Sequence, residues 1–443
     1  MPATETAPAA GSNSAGSDSA GGNGAGGNGS DGNGSDGPGA ASPGATAVVG
    51  AGRGIGRAID VVNVPVWRAS SVLFDSVEAA RAEAAPTVAG ELHRSTYGTA
   101  GTATTYSLMD AVAELEGQPH ACRAALMPSG LTAIGAALLA FTKPGDHLLM
   151  SDSVYGPARV FANGLLARFG VRTTFFDPLA SAGDLAAQIE SQTRVIYLES
   201  PGSYTFEIQD TPAICALARA RGVLTMIDNT YASPCLARPF DWGVDISLLA
   251  LTKYWGGHSD LLMGAVVTRE AHWQTLWATV KQLGLCVGGD DAWLVLRGLR
   301  TVNVRMPRHQ QTALAVARWL ETRPEVGRVL HPGLPTHPQH ALFRRDFLGS
   351  NGLFSFELRL PEAPQERIDA AVKALCNGRR HFSIGYSWGG FESLIMPAMI
   401  GSLRGIRRWT GGPLIRLHCG LEDPADLIAD LAEGLDAAGR ALG

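Results

Sequence analysis

The chain has 443 residues, a formal net charge of −5 and 45% hydrophobic residues, enough for two packed domains with appendages. Its basic residues are scattered, which excludes a nucleic-acid surface from the expected functions, and its longest clean apolar run, Leu131 to Phe141, is too short to cross a bilayer. No charged-then-apolar leader resembles an export signal, and six cysteines (Cys122, Cys215, Cys235, Cys286, Cys376, Cys419) lie far apart without metal-ligand spacing, so a cytoplasmic protein with reduced thiols and no metal is expected.

The opening residues, typified by GSNSAGSDSAGGNGAGGNGSDGNGSDGPG, hold no side chains able to bury apolar area and offset the entropy of ordering. A disordered tail is expected over 1–45. Residues 50–66 then read GAGRGIGRAIDVVNVPV, and Gly50, Gly54 and Gly56 match the G-x-x-x-G-x-G spacing of a nicotinamide-binding turn. Such a turn needs a strand before it and a helix after it. Only ATAVV precedes it, and Pro65 follows where proline would break a young helix. An arm over 46–105 that crosses onto another surface suits the alternating VWRASSVLF better.

From about Gln118 short β-rich runs recur: AALMP (124–128), DHLLMS (146–151), RTTFFD (172–177), RVIYLES (194–200), LTMIDNT (224–230), ISLLALTKY (246–254) and GAVVTRE (264–270). Helical stretches such as GLTAIGAALLAF, GPARVFANGLLARFG and PAICALARARG lie between several of them. Strands alternating with amphipathic helices predict an α/β domain over 106–300 with a mostly parallel sheet covered on both faces. After Arg300 a long helix, roughly Gln310 to Glu321, leads into an α+β segment with LFSFELRL as a candidate antiparallel strand. A smaller C-terminal domain is therefore expected over 301–443.

Ligands of such sheets gather beyond the carboxyl ends of the strands. ISLLALTKY ends in Lys253 after an almost wholly apolar run. A surface lysine is the ordinary reading, but apolar walls disfavour the charged amine and free the nucleophile that Schiff-base chemistry requires. LTMIDNT ends in Asp228, which either caps the turn at Asn229-Thr230 or faces the ring nitrogen of pyridoxal 5′-phosphate and keeps it protonated. The SGLTA after AALMP opens a helix whose amides at Gly130 and Leu131 form a natural phosphate cradle. Tyr155, in SDSVYGPARVF, suits either a core position or stacking on the cofactor ring.

MIDNTYASP, LTKYWGGHSD, LESPGS, DAWLVLRGLRT, YSWGGFESL and LIRLHCGLED stand in an order and spacing that resemble the pyridoxal-phosphate-dependent trans-sulfuration enzymes of cysteine and methionine metabolism, and among them the bacterial cystathionine β-lyase branch. The likeness runs from about Ala51 to the C-terminus. Under it, AGRGIGRAIDVVNVPVWRASSVLF is similar to the family's N-terminal arm and the glycine spacing is coincidental. The resemblance implies a fold-type I, aspartate-aminotransferase-like α/β architecture. It implies that Lys253 bonds the cofactor and carries the proton, that Asp228 pairs with the pyridine nitrogen and that Tyr155 stacks on the ring. Gly130, Leu131, Thr230 and Thr252 would hold the cofactor, and Tyr97 would reach the phosphate of the neighbouring subunit. Arg416 would grip the substrate α-carboxylate, with Tyr386, Ser387 and Trp388 lining that pocket. Cleavage of cystathionine to homocysteine, pyruvate and ammonia in methionine biosynthesis is implied, in a homo-oligomer built as a dimer of dimers.

Four positions depart from the family pattern. Thr99 stands where an arginine is usual, which removes a charge from the phosphate site; Arg94 is the candidate to replace it. Ala250 stands for a serine, Ser203 for the asparagine of γ-acting relatives, and Val64 for a proline. A γ-acting relative (cystathionine γ-lyase, γ-synthase or a homoserine sulfhydrylase) is the rival on the same fold; Tyr386 and Trp388 offer an uncharged wall where several γ-acting members carry glutamate, which favours β chemistry. The rivals from other classes are a nicotinamide-dependent oxidoreductase and a cofactor-binding regulator without catalysis. Lys253, Asp228 and Arg416 together speak against the regulator.

Overall fold

The computed structural model describes residues 44–53, 62–401 and 403–442. The tail expected over 1–45 therefore lies, as far as residue 43, outside the described residues, and so do Gly54 and Gly56. Ala45–Gly50 is a short helix rather than the strand a nucleotide-binding turn needs. It docks through buried Val48, and Arg300 holds its end by donating to the carbonyls of Val49 (3.0 Å) and Ala51 (2.7 Å).

All seven β-rich runs are strands: β1 (Cys122–Met127), β2 (His147–Ser151), β3 (Arg172–Phe176), β4 (Thr193–Glu199), β5 (Leu224–Asp228), β6 (Ile246–Ala250) and β7 (Gly264–Arg269). They form one sheet in the order β1-β7-β6-β5-β4-β2-β3, parallel except that β7 runs against both neighbours. The period of two explains why the runs are apolar throughout rather than alternating. Leu148, Met150, Val195 and Tyr197 enter one hydrophobic core, while Leu149, Ile196 and Leu198 enter another on the opposite face. Burying each such side chain stabilises by about 1.5–3 kcal/mol, so both faces must be covered.

A second sheet comprises β8 (Val326–Leu330), β9 (Leu353–Leu358), β10 (Phe382–Ile384), β11 (Ser393–Pro397) and β12 (Leu414–His418), in the order β10-β11-β12-β9-β8. β9 is the antiparallel strand expected from LFSFELRL. The helix before it starts at Val302, not near Gln310, and runs through Pro307 to Glu321. Val302, Met306 and His309 are buried along it, and this packing outweighs the hydrogen bond that proline removes.

Candidate active site

The parallel strands deliver their carboxyl ends to one edge of the sheet, and Lys253, Asp228 and the helix start at Gly130 lie there. Beyond β6 the chain turns tightly, with the Lys253 amide donating to Ala250 O (3.1 Å) and the Gly257 amide to Lys253 O (2.8 Å). Lys253 Nζ donates to Ser387 Oγ at 2.9 Å and lies 5.1 Å from the centre of the Trp388 ring. Burial first, and then the positive Arg416, push the amine down to about 8 against the opposing pull of Asp228.

β4 and β5 finish in register, placing Glu199 beside Asp228. Asp228 Oδ1 accepts from the Thr230 amide at 3.0 Å, and Thr230 Oγ1 accepts from the Ala250 amide at 2.9 Å, which ties the end of β5 to that of β6. Burial raises the Asp228 pKa, and the Lys253 charge opposes it. No cation makes a salt bridge to Asp228 among the described residues. Glu199 accepts from the Tyr155 amide and the Ser203 hydroxyl, both at 2.6 Å, so it fixes the backbone from which the Tyr155 ring projects. Burial and the neighbouring Asp228 push Glu199 up to about 8.

After β1, Ser129 caps the helix Gly130–Phe141 by accepting from the Thr132 amide at 3.1 Å. The Gly130 and Leu131 amides have no carbonyl within that helix to bond. A Cβ on Gly130 would stand 2.8 Å from the Cβ of Ala250, so glycine lets the helix start close upon β6. The Thr252 hydroxyl donates to Met263 O (3.1 Å) and accepts from its amide (3.0 Å). Arg416, buried on β12, donates through Nη2 to Gly385 O (2.9 Å) and Ser387 O (3.2 Å).

Two expected residues are not brought to Lys253 within this chain. Tyr97 is 54% exposed and pairs with Ser71 in an isolated bridge, and Tyr386 is 82% exposed. Arg94, the candidate to replace the charge missing at Thr99, is instead engaged with Glu83 at 2.9 Å and Glu91 at 3.5 Å. The sequence reading missed Glu199, although it ends a strand beside Asp228 just as an acid ends LTMID. It also missed Arg305, whose Nη2 donates to Tyr254 O and Gly298 O at 2.8 Å and backs the turn carrying Lys253.

A half-buried carboxylate without a salt bridge among the described residues, near an amine of lowered proton affinity beside an open helix start, fits a phosphorylated aldehyde with a basic ring nitrogen. A family profile described as "Cys/Met metabolism PLP-dependent enzyme" matches residues 45–436. The chain belongs to this family. Its cofactor is accordingly pyridoxal 5′-phosphate. Among relatives, the cystathionine β-lyase of Bordetella avium is 44% identical over 381 residues, covering 85% of this chain and 92% of the relative. The L-alanine/L-glutamate racemase of Wolbachia pipientis wMel is 40% identical over 396 residues, covering 88% and 96%. A crystal structure of cystathionine γ-synthase from Xanthomonas oryzae pv. oryzae in complex with cystathionine superposes with a TM-score of 0.78 at 35% identity, covering 90% of this chain and 99% of that one.

Proposed function

We propose that this enzyme is a carbon–sulfur β-lyase that converts cystathionine and water to homocysteine, pyruvate and ammonia. The observation that carries the reading is the Lys253 amine, held on Ser387 between Asp228 and Arg416 with its pKa near 8. The identity to a β-lyase relative exceeds that to the γ-synthase, which supports β over γ chemistry.

Gly130 and Leu131 would hold the phosphate, Tyr155 would cover the ring, and Asp228 would face its nitrogen, with Thr230 fixing the Asp228 carboxylate. Bound pyridoxal 5′-phosphate supplies an aldehyde carbon for amine exchange and a ring that accepts the electron pair left at Cα. Arg416 binds the substrate carboxylate through guanidinium N–H groups other than those bonded to Gly385 and Ser387. With the substrate amine on the cofactor, Lys253 would take the Cα proton, and a base of pKa near 8 is matched to that task at neutral pH. Loss of the thiolate from Cβ then completes the elimination.

Two further features belong to this reading. Tyr97 reaches the phosphate region of a second copy, an idea supported by the exposed apolar side chains of the same N-terminal stretch, Trp67, Leu73 and Val77. The enzyme is then a homo-oligomer, a dimer of dimers, with 46–105 as the arm, 106–300 as the cofactor domain and 301–443 as the C-terminal domain. A cytoplasmic setting suits reduced Cys122, Cys215, Cys286, Cys376 and Cys419.

Incubation with L-cystathionine, with chromatographic identification of the keto acid, tests the reaction. Pyruvate with homocysteine is expected. Predominant 2-oxobutyrate would make the enzyme a γ-lyase, and no keto acid with interconversion of alanine enantiomers would favour the racemase reading. A second expectation concerns pH. Only the neutral amine is nucleophilic, so the rate at which cofactor-free protein captures added pyridoxal 5′-phosphate is expected to rise with pH through a midpoint near 8. A midpoint above 10 in stopped-flow absorbance would show an amine in ordinary solvent.

A further inference from the structure

We infer that His418 is a positioning residue for Lys253, acting through the segment Gly385–Gly390. His418 lies two residues after Arg416 on β12, so both side chains project from the same face of that strand. Together they grip the segment at its two ends. Arg416 holds the carbonyls of Gly385 and Ser387, and His418 Nε2 lies 3.1 Å from both the Gly389 amide and the Gly390 carbonyl. Ser387, held at its carbonyl, and Trp388, between the two grips, are the residues that meet the Lys253 amine, Ser387 by a hydrogen bond and Trp388 with its ring centre 5.1 Å away.

The far side of the segment leaves no slack. Gly389 has φ +89°, and a Cβ there would stand 3.0 Å from Lys253 C and Tyr254 N; a Cβ on Gly390 would stand 2.0 Å from Ser259 Oγ. Gly389 is thus wedged against the backbone that carries Lys253, and Gly390 against the Ser259 side chain. His418 is fully buried among Tyr254 and His309, whose ring centres lie 5.9 and 5.3 Å away, and its Nδ1 has no partner among the described residues. A fully buried imidazole with one unsatisfied nitrogen is a poor filler for a core. What it gains is one Nε2 hydrogen bond with the segment, accepted from the Gly389 amide or donated to the Gly390 carbonyl according to its tautomer. Without that bond, Ser387 Oγ would no longer be held at 2.9 Å from the amine.

The inference rests on Lys253 being the cofactor-bonding lysine, so the test separates the two ideas. Cofactor capture by the cofactor-free full chain is timed by stopped-flow absorbance, and turnover by the holoenzyme is measured with protonated and α-deuterated substrate. His418→Leu is expected to slow capture about tenfold and to enlarge the isotope effect, with the equilibrium dissociation constant for the cofactor within about threefold of wild type. His418→Gln, whose amide can both donate and accept, is expected to restore most of the rate. Since His418 acts through Ser387, adding His418→Leu to Ser387→Ala should slow capture no further. Additive losses, an unchanged isotope effect, or failure of both His418 variants to fold would overturn the inference, the last because His418 would then hold the core. Failure of the wild-type chain to capture the cofactor would instead overturn the assignment of Lys253.

Discussion

Replacing Lys253 with alanine is expected to lower turnover by about three orders of magnitude or more, because it removes both the nucleophile and the proton carrier. The chain has four lysines, Lys143, Lys253, Lys281 and Lys373, which makes the assignment unusually easy to test. Lys143 and Lys373 are exposed, and Lys281 lies over the Trp277 ring on a surface helix. Lys253 alone among them stands at the end of a sheet strand, between a carboxylate and an arginine that bias its proton in opposite directions. Borohydride reduction of the holoenzyme and peptide mapping are expected to place the pyridoxyl group on the peptide containing Lys253. Label on any of the other three would remove Lys253 from the mechanism. The alanine variant is expected to fold, since the methyl group replaces an amine whose burial is itself unfavourable.

The part of this site that was legible in the sequence is the part set by local pattern. A short apolar run such as ISLLA, recurring between helical stretches, reads as a buried strand, and the residues after it then lie at the sheet's edge; that logic places Lys253, and it works equally for Asp228 and for the helix start at Gly130. Glu199 was open to the same argument, since it ends the run RVIYLE just as Asp228 ends LTMID. The contacts of Ser387 and His418 have no local signature. Ser387 meets Lys253 from 134 positions further along the chain, and the strands β10, β11 and β12 that frame it are three to five residues long. At the sheet's edge, β10 with its three residues carries too few alternations for a period to show. The arm presents the opposite case. Tyr97 is plain in the sequence, yet its role depends on a second copy, so one folded chain leaves it on the surface.

Asp228→Asn is expected to reduce kcat by about two to three orders of magnitude while leaving the fold intact. Asparagine keeps the shape and can still accept the Thr230 amide, which occupies only one carboxylate oxygen in the structure. The change removes the negative charge that a protonated ring nitrogen needs, and with it the ring's ability to hold the electron pair from Cα. The obvious escape is Glu199, one strand over and in register. Its two oxygens are already engaged by the Tyr155 amide and the Ser203 hydroxyl, however, and burial, the larger cause of its raised pKa, persists when Asp228 is replaced. Glu199 therefore cannot take over, and Asp228→Asn with Glu199→Gln is expected to be little slower than Asp228→Asn alone. Stability is expected to move the other way from activity. The cofactor-free Asp228→Asn protein loses a half-buried carboxylate that has no salt bridge among the described residues, so its melting temperature is expected to match or exceed that of the wild type. Turnover within threefold of wild type would show that the ring nitrogen needs no carboxylate here. A large fall in melting temperature would show that Asp228 serves the fold before it serves the cofactor.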